Sequence, residues 1–382
     1  MDRKEIAAAA WFQKINFIGT RTMHHLQEHF GTLQNAYKGE EKELRAILNG
    51  RQFGAYKAAR YATDPESYLK QIEDKGIRYI NYQDDIFPER LKNIPDVPYG
   101  IFVKGCLPKE QYPSVAMIGS RACSEYGKKA AIMLAGELAE RGVQVVSGMA
   151  RGIDSISQSA CLKAGGRTFA VLGSGVDVCY PEELYQLYEQ ISEKGGIIST
   201  YPPGMQPLAG NFPPRNRIIS GLSDVVLVVE SRQKSGTLIT VDMALEQGKE
   251  VAVVPGRITD ELSKGCHALI RQGATPIFDV EQLFELLKEV SVQKKFVQEP
   301  LKEGKSMYNN GQDWIHMNNR ELPDYLRTVL EVLESEPANA EEIYGKWLTA
   351  GNQGTFQEVL GSLTDLELMD LCKCHKNLFS IH

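Results

Sequence analysis

Two rhythms of apolar and polar positions divide the chain. Residues 1–75 read as helices in "AAAAWFQKI", "IGTRTMHHLQEHFG", "LQNAYKG" and "EKELRAILNG", each closed or followed by Gly or Asn. From about residue 112 short apolar runs alternate with longer helical ones. The runs "SVAMIG", "VQVVSG", "TFAVLG", "GIIST", "DVVLVVE", "EVAVVPG" and the weaker "TPIFD" predict strands. Between them, "YGKKAAIMLAGELAERG", "DSISQSACLKAGG", "PEELYQLYEQISEKGG", "TLITVDMALEQGK" and "SKGCHALIRQGA" predict helices. Strands apolar throughout are buried on both faces, and their alternation with helices implies a parallel sheet with right-handed crossovers. Residues 76–290 are therefore expected to form a Rossmann-like, doubly wound, mostly parallel α/β domain, with ligands beyond the carboxyl ends of the strands.

The pattern breaks again after "DVEQLFELLKEV". Residues 291–318 are polar without sustained periodicity and read as a linker. Residues 319–382 predict three helices and a hairpin, "LCKCHKNLFSIH", the order of a winged-helix-like domain. Its third helix carries Glu358, Asp365 and Glu367 and no Lys or Arg, so phosphate repulsion opposes insertion into a DNA groove. Packing or protein contact suits it better. At the other end, "FIGTRTMHHLQEHFG" has the form of a helix-hairpin-helix element in which a Gly turn and a Thr cap open the second helix. Such a turn either binds backbone phosphate through free amides or only packs two helices.

Composition narrows the function classes. The 382 residues allow two or three domains, and 42% hydrophobic with 24% charged residues is ordinary for a globular protein. A net charge of −6 means that any nucleic-acid site is a local patch. The amino terminus has no secretory h-region and no long apolar run occurs, so a cytoplasmic protein without a membrane span is expected. Seven scattered cysteines form no disulfide framework. Cys372, Cys374 and His375 cluster, but only His382 follows, and a hairpin strand explains them better than a zinc site.

Four strand-end loops carry the candidate chemistry: "GSRACSEYG" (119–127), "SGMARGID" (147–154), "LGSGVDVCYP" (172–181) and "SRQKSGTL" (231–238). The dinucleotide fingerprint fails, because the third Gly after Gly173 and Gly175 is missing. A Walker loop fails because Gly127-Lys128 follows Gly119 by eight positions, and Lys129 stands where Ser or Thr is needed. No Ser–His or Cys–His pair can be argued from spacing, since His267 is the only His of the sheet region. What remains is amides at helix starts, the hydroxyls of Ser120, Ser147, Ser174 and Ser235, and the cations Arg121, Arg151, Arg215, Arg217, Arg232 and Lys234. Several anion sites on one sheet edge suit a polyanion, and no cofactor is expected.

The stretch "NFPPRNRIISG" predicts extended Phe212 and Pro213, then a two-turn helix from Pro214 to Gly221. At about 100° per residue Arg215 shares a face with Ile218, Ile219 and Leu222, and Arg217 is turned about 200° from Arg215. Arg215 pairing internally with a carboxylate such as Asp224, with Arg217 solvated, competes with the reading that at least one guanidinium faces the ligand edge.

Taken together, "MIGSRACSEYG", "VVSGMARGIDSISQSACL", "AVLGSGVDVCYP", "TYPPG", "NFPPRNRIISGLSDVVLVVESRQKSGTLITVDMALEQGKEVAVVPG" and "GCHALIRQGA" resemble the bacterial DprA/Smf family, nearly continuously from about residue 76 to 290. The resemblance implies a non-enzymatic homodimer that binds single-stranded DNA, protects incoming strands in natural transformation and helps load the RecA recombinase. It also implies that Gly119, Ser120 and Arg121 hold a phosphate, and that Arg215, Asn216 and Arg217 with Ser235, Gly236 and Thr237 line the same groove. Arg151 and Lys234 join them as loop cations, and Leu269 and Ile270 are candidates for the dimer face. Two departures stand out. Glu182 and Glu183 follow Pro181 where members often place a Lys, and Gln158 stands where they usually carry His, a change expected to affect local hydrogen bonding. Tyr185 either stacks on a base or packs inside. The competing enzyme reading is a nucleoside monophosphate phosphoribohydrolase with Glu246 as its carboxylate, although its "PGG" signature is absent. A third reading is a partner scaffold that has lost DNA binding.

Overall fold

The structure is a computed structural model that describes residues 2–298, 324–333, 338–352, 354–368, 372–375 and 378–381. Two units of chain, 1–299 and 300–382, separate by their internal contacts. In the first, the apolar runs become β3 (Ser114–Ile118), β4 (Gln144–Ser147), β5 (Thr168–Val171), β6 (Gly196–Ser199), β7 (Val225–Val228), β8 (Glu250–Val253) and the two-residue β9 (Thr275–Pro276). They are parallel to one another, and two strands absent from the sequence reading, β1 (Ile77–Asn81) and β2 (Gly100–Gly105), extend the sheet antiparallel beside β6. A β-strand followed by no crossover helix gives no alternation signal, which is why these two were missed. The order is β1-β2-β6-β5-β4-β3-β7-β8-β9. The chain steps outward from β3 through β6, then returns to place β7 on the other flank of β3. That reversal puts a topological switch point at the carboxyl ends of β3 and β7.

Helices cover both faces. The amino-terminal part contains α1 (Arg3–Gln13), α2 (Thr20–Phe30), α3 (Leu33–Lys38), α4 (Glu41–Ile47), α5 (Gly50–Ala62) and α6 (Pro65–Glu73), with α5 and α6 beyond the four helices read from sequence. The short α7 (Glu89–Lys92) lies between β1 and β2. The crossovers are α8 (Glu125–Glu140), α9 (Ile153–Lys163), α10 (Tyr185–Lys194), α11 (Phe212–Gly221), α12 (Gly236–Glu246) and α13 (Lys264–Arg271), followed by α14 (Val280–Gln298). Alternate strand residues serve opposite cores. Val115, Met117, Val225 and Leu227 pack with Leu134 and Leu138 of α8, whereas Ala116, Ile118, Val226 and Val228 pack with Ile218 and Ile219 of α11. The amino-terminal helices share a third core with the sheet, in which Ala7, Ala10, Trp11 and Phe12 meet Ile77, Tyr79 and Phe102.

Several local expectations are corrected. Gly19, not a threonine, caps α2, with no side-chain cap bond. Phe212 and Pro213 are helical, so α11 begins two residues before Pro214. The first helical turn has no intrahelical acceptor for its N–H groups, so consecutive prolines cost little there and tertiary packing overrides the pre-proline preference. The expected linker starts inside a helix, since α14 runs to Gln298; its remainder lies outside the described residues.

The second unit shows α15 (Asp324–Leu333), α16 (Ala340–Thr349), α17 (Phe356–Leu368) and an antiparallel hairpin of β10 (Cys372–His375) and β11 (Leu378–Ile381). Leu326, Val329, Ile343, Trp347 and Leu363 form its core. Glu358 has a local duty: its carboxylate accepts the Thr355 N–H at 2.6 Å, which holds its pKa below the usual range and caps α17. Asp365 and Glu367 side chains lie outside the described residues, as do those of Cys374, His375 and His382. Cys372 is buried and donates to the Leu363 carbonyl at 3.7 Å. Among the described residues no helix is long and apolar enough to cross a membrane.

One buried ion pair locks the amino-terminal edge of the parallel sheet. Arg90 of α7 reaches Asp224 bidentately at 2.9 and 3.0 Å, and Asp224 also accepts the Ser114 N–H at 2.9 Å where β3 begins. This removes Asp224 as a partner for Arg215. Replacing one member of a buried pair strands the other, so Asp224→Ala is expected to lower unfolding free energy by about 3 to 5 kcal/mol in urea titrations. A loss below about 1 kcal/mol would show that solvent, or Glu110, whose carboxylate also accepts from Arg90 at 3.0 Å, compensates.

Candidate nucleic-acid interface at the strand-end loops

After β3 the chain turns through Gly119, Ser120 and Arg121 before Ser124 caps α8. Ser120 Oγ accepts the Ala122 N–H at 3.2 Å, and the Ser120 carbonyl accepts the Ile153 N–H at 3.2 Å, which joins this turn to the start of α9. The close approach requires Gly152: its φ is +78°, and a Cβ there would lie 2.2 Å from the Ser120 oxygen. Arg121 is exposed, its guanidinium carbon 5.9 Å from the Phe212 ring centroid, and it makes no ion pair among the described residues. Tyr180, 46% exposed, sits 5.8 Å from the same ring. An exposed cation and two aromatic rings thus meet beside the switch point.

Arg215 occupies a different place from the one a ligand-facing reading gives it. It is 4% exposed, and its Nη1 donates to the carbonyl of Gly148 at 2.8 Å and to that of Val171, the residues that leave β4 and β5. Asp154 provides the nearby countercharge and accepts the Gly148 N–H at 3.1 Å. Burial pushes the Arg215 pKa down to about 10, so it is still a cation at neutral pH, and pushes the Asp154 carboxyl above its usual range. Arg217 is 17% exposed and comes within 3.2 Å of Asp96 without hydrogen-bond alignment. The α11 guanidiniums therefore brace the edge and do not form its outer surface; Asn216 between them is half-buried.

Arg151 is exposed but engaged. Its Nε donates to Glu183, so the acidic loop after Pro181 neutralises the cation that leaves β4. Beyond β7, Arg232 and Lys234 are exposed without an ion pair among the described residues. Ser235 then caps α12 by accepting the Thr237 N–H at 3.2 Å and donating to Thr237 Oγ1 at 3.0 Å, with Gly236 exposed at the first helical position. Tyr185 is 56% exposed and stacks on Tyr188, whose hydroxyl is tied to the Val176 carbonyl at 2.6 Å. Gln158 is buried and donates to the Phe169 carbonyl at 3.1 Å, while its Oε1 has no hydrogen-bond partner among the described residues. Leu269 is only 6% exposed and belongs to the core under α13, so Ile270, half-buried, is the one of the pair with surface left for a partner.

Sequence reasoning missed three contributors. Glu230, 3% exposed at the end of β7, accepts the Ser124 N–H at 2.9 Å and the Ser124 hydroxyl, filling the amino terminus of α8 with an internal carboxylate. A Cβ on Gly127 would lie 2.3 Å from Glu230 Cδ, so the glycine exists for this contact. A pyrophosphate bound as in dinucleotide folds would need the place that Glu230 holds. Phe212 and Tyr180 were the others, and the aromatic spacing of "CYPEELY" with the Phe before "PPRNR" was the available signal. Glu246, the carboxylate of the phosphoribohydrolase reading, closes α12 about 15 Å along the helix from its loop end, which places it poorly for such chemistry.

These features define a Rossmann-like α/β protein whose first crossover helix is capped by an internal carboxylate and whose switch point presents cations and aromatic rings beside it. A profile of the DNA recombination-mediator protein A family matches residues 78–288. DNA processing protein DprA of Streptococcus pneumoniae is 46% identical over 229 residues, 60% of this chain and 80% of that one. Protein Smf of Synechocystis is 36% identical over 284 residues, 73% of this chain and 71% of that one. The X-ray structure of DprA from Streptococcus pneumoniae superposes with a TM-score of 0.64 at 32% identity, covering 73% of this chain and 97% of that one. The chain belongs to the DNA recombination-mediator protein A (DprA) family.

The two kinds of arginine separate in a stability measurement. Arg215→Ala leaves a buried carboxylate without its cation and two carbonyls without a donor, and is expected to cost about 3 to 5 kcal/mol of unfolding free energy. Arg121→Ala should stay within about 0.5 kcal/mol of the parent. Equal effects of the two substitutions would contradict the division into brace and surface.

Proposed function

We propose that the chain binds single-stranded DNA along the carboxyl edge of its sheet, protects incoming strands in natural transformation and helps load RecA onto them. In this reading it is a cytoplasmic homodimer, joined through the α13 face that carries Ile270, and it acts by binding without a catalytic step. The observation that carries the proposal is the cluster of exposed Arg121 with the Phe212 and Tyr180 rings at the switch point. A guanidinium supplies phosphate recognition and the rings supply faces on which successive bases stack, a combination suited to unpaired strands. Arg232 and Lys234 extend the positive track toward the start of α12, where Ser235, Gly236 and Thr237 present a capped helix turn. Gly119 and Ser120 shape the turn that presents Arg121. Family membership supports the recombination role, and the net charge of −6 suits binding at local cationic patches.

Fluorescence anisotropy with a labelled oligonucleotide and its duplex, across a salt series, tests this directly. The single strand should bind in preference, with affinity falling steeply as salt rises. Arg121→Ala should weaken it by about 1 to 3 kcal/mol, the scale of a charge-assisted hydrogen bond. Unchanged affinity in a folded Arg121→Ala variant would remove that residue from the interface. Glu183→Gln, which releases Arg151, should tighten binding and steepen the logarithmic salt dependence by about one. If it does neither, Arg151 lies off the strand's path.

A further inference from the structure

The amino-terminal helices contain a cleft of about 330 Å³ lined by Tyr37, Glu41, Tyr56, Lys57, Arg60 and Tyr61. Its chemistry does not fit a packing role. Tyr61 is 87% exposed at the end of α5, with its ring held by no ring contact among the described residues. Arg60 lies with its guanidinium carbon 5.1 Å from the Tyr37 ring centroid, fixed by one bond from Nη1 to the Tyr56 hydroxyl at 2.9 Å. That leaves its other N–H groups to outside acceptors. Lys57 approaches Glu41 at 3.3 Å, an exposed pair that separates at little cost. α5 itself carries Arg51, Lys57 and Arg60 and no acidic residue.

We propose that this cleft is a second subsite for single-stranded nucleic acid. One base stacks on Tyr61 at the mouth, its phosphate meets Lys57 and the open N–H groups of Arg60, and Glu41, released from Lys57, accepts from a ring N–H of the base, such as N3–H of thymine. Planar aromatic faces beside cations select a ligand that is both flat and anionic, which an apolar peptide or a lone phosphate is not. Two other parts of the amino-terminal region, α1 and the turn after α6, touch the same edge of the sheet as the strand-end loops. Gln13 of α1 donates to the Thr200 carbonyl, just beyond β6, at 2.8 Å, and Lys75 pairs with Asp177 of the β5 loop at 3.1 Å. The inference rests on the single-strand reading for its ligand, but none of the residues that would contact the ligand in this cleft belongs to the strand-end loops.

The test uses the full chain, deoxythymidine oligonucleotides of about 6 and about 25 nucleotides, and bromodeoxyuridine-substituted versions of both for photocross-linking with peptide mapping. The Lys57→Ala/Tyr61→Ala double variant changes one exposed position, Tyr61, and one half-buried position, Lys57, whose tip pairs with Glu41 at the surface, and should fold as the parent does. It is expected to bind the short oligonucleotide normally and the long one about tenfold more weakly, while Arg121→Ala weakens both. In the parent, the long oligonucleotide should cross-link to the peptide containing Tyr61. Parent-like affinity of the double variant at both lengths, with no cross-link between residues 33 and 62 at saturating protein, overturns the second subsite even if Arg121→Ala is defective. A defective double variant beside a normal Arg121→Ala would instead uphold this cleft and remove the strand-end site.

Discussion

The edge of the sheet is organised around one buried guanidinium. Arg215 joins the carbonyls that leave β4 and β5 to the first turn of α11, with Asp154 as its countercharge. A cation in that position is stabilised by two carbonyls that accept from its Nη1 and by the charge of Asp154, although its Nε has no partner among the described residues, and the loops in turn are held through those carbonyls. Phe212 stands three residues earlier on the same helix, so the bracing also fixes the ring beneath Arg121. The exposed Arg121 and the buried Arg215 thus both lie against one aromatic ring, that of Phe212.

A second carboxylate decides what the fold does not do. Doubly wound sheets ordinarily offer the amino terminus of the first crossover helix to a phosphate. Here Glu230 fills that position from β7 and Gly127 is shaped around it. With the helix start neutralised internally, the proposed phosphate recognition falls to exposed side chains spread along the edge: Arg121, Arg232 and Lys234. A distributed track suits a strand that must be held at several points, whereas a single deep nest suits one nucleotide. The Arg151–Glu183 pair tempers the same track, since an acidic loop lies where an additional cation would strengthen it.

Much of this was legible in the sequence because the signals were local. Uniformly apolar runs alternating with helices gave the parallel strands, and the Gly-rich strand ends gave the loops. The helical wheel even placed Arg215 with Ile218, Ile219 and Leu222, and that face is the buried one. Its partners were illegible, because Gly148 and Val171 lie 67 and 44 residues away and contribute only backbone. Asp224, the partner considered, belongs to Arg90, 134 residues distant. Glu230 was hidden for the same reason: a carboxylate at a strand end says nothing of the helix it caps until the sheet order is known. Leu269 failed as a surface residue because an apolar residue on a short amphipathic helix reads alike whether it meets a partner or its own core.

The central claim is that single-stranded DNA lies across the carboxyl ends of β3 and β7. Hydrogen–deuterium exchange of the full chain, with and without a saturating oligonucleotide, reads that location without altering any residue. The expected result is slowed exchange in the amides of 119–124 and 231–238, with the opposite, amino-terminal ends of the same strands unchanged. Slowed exchange confined to other surfaces, with those two loops exchanging as in the free protein, would contradict it.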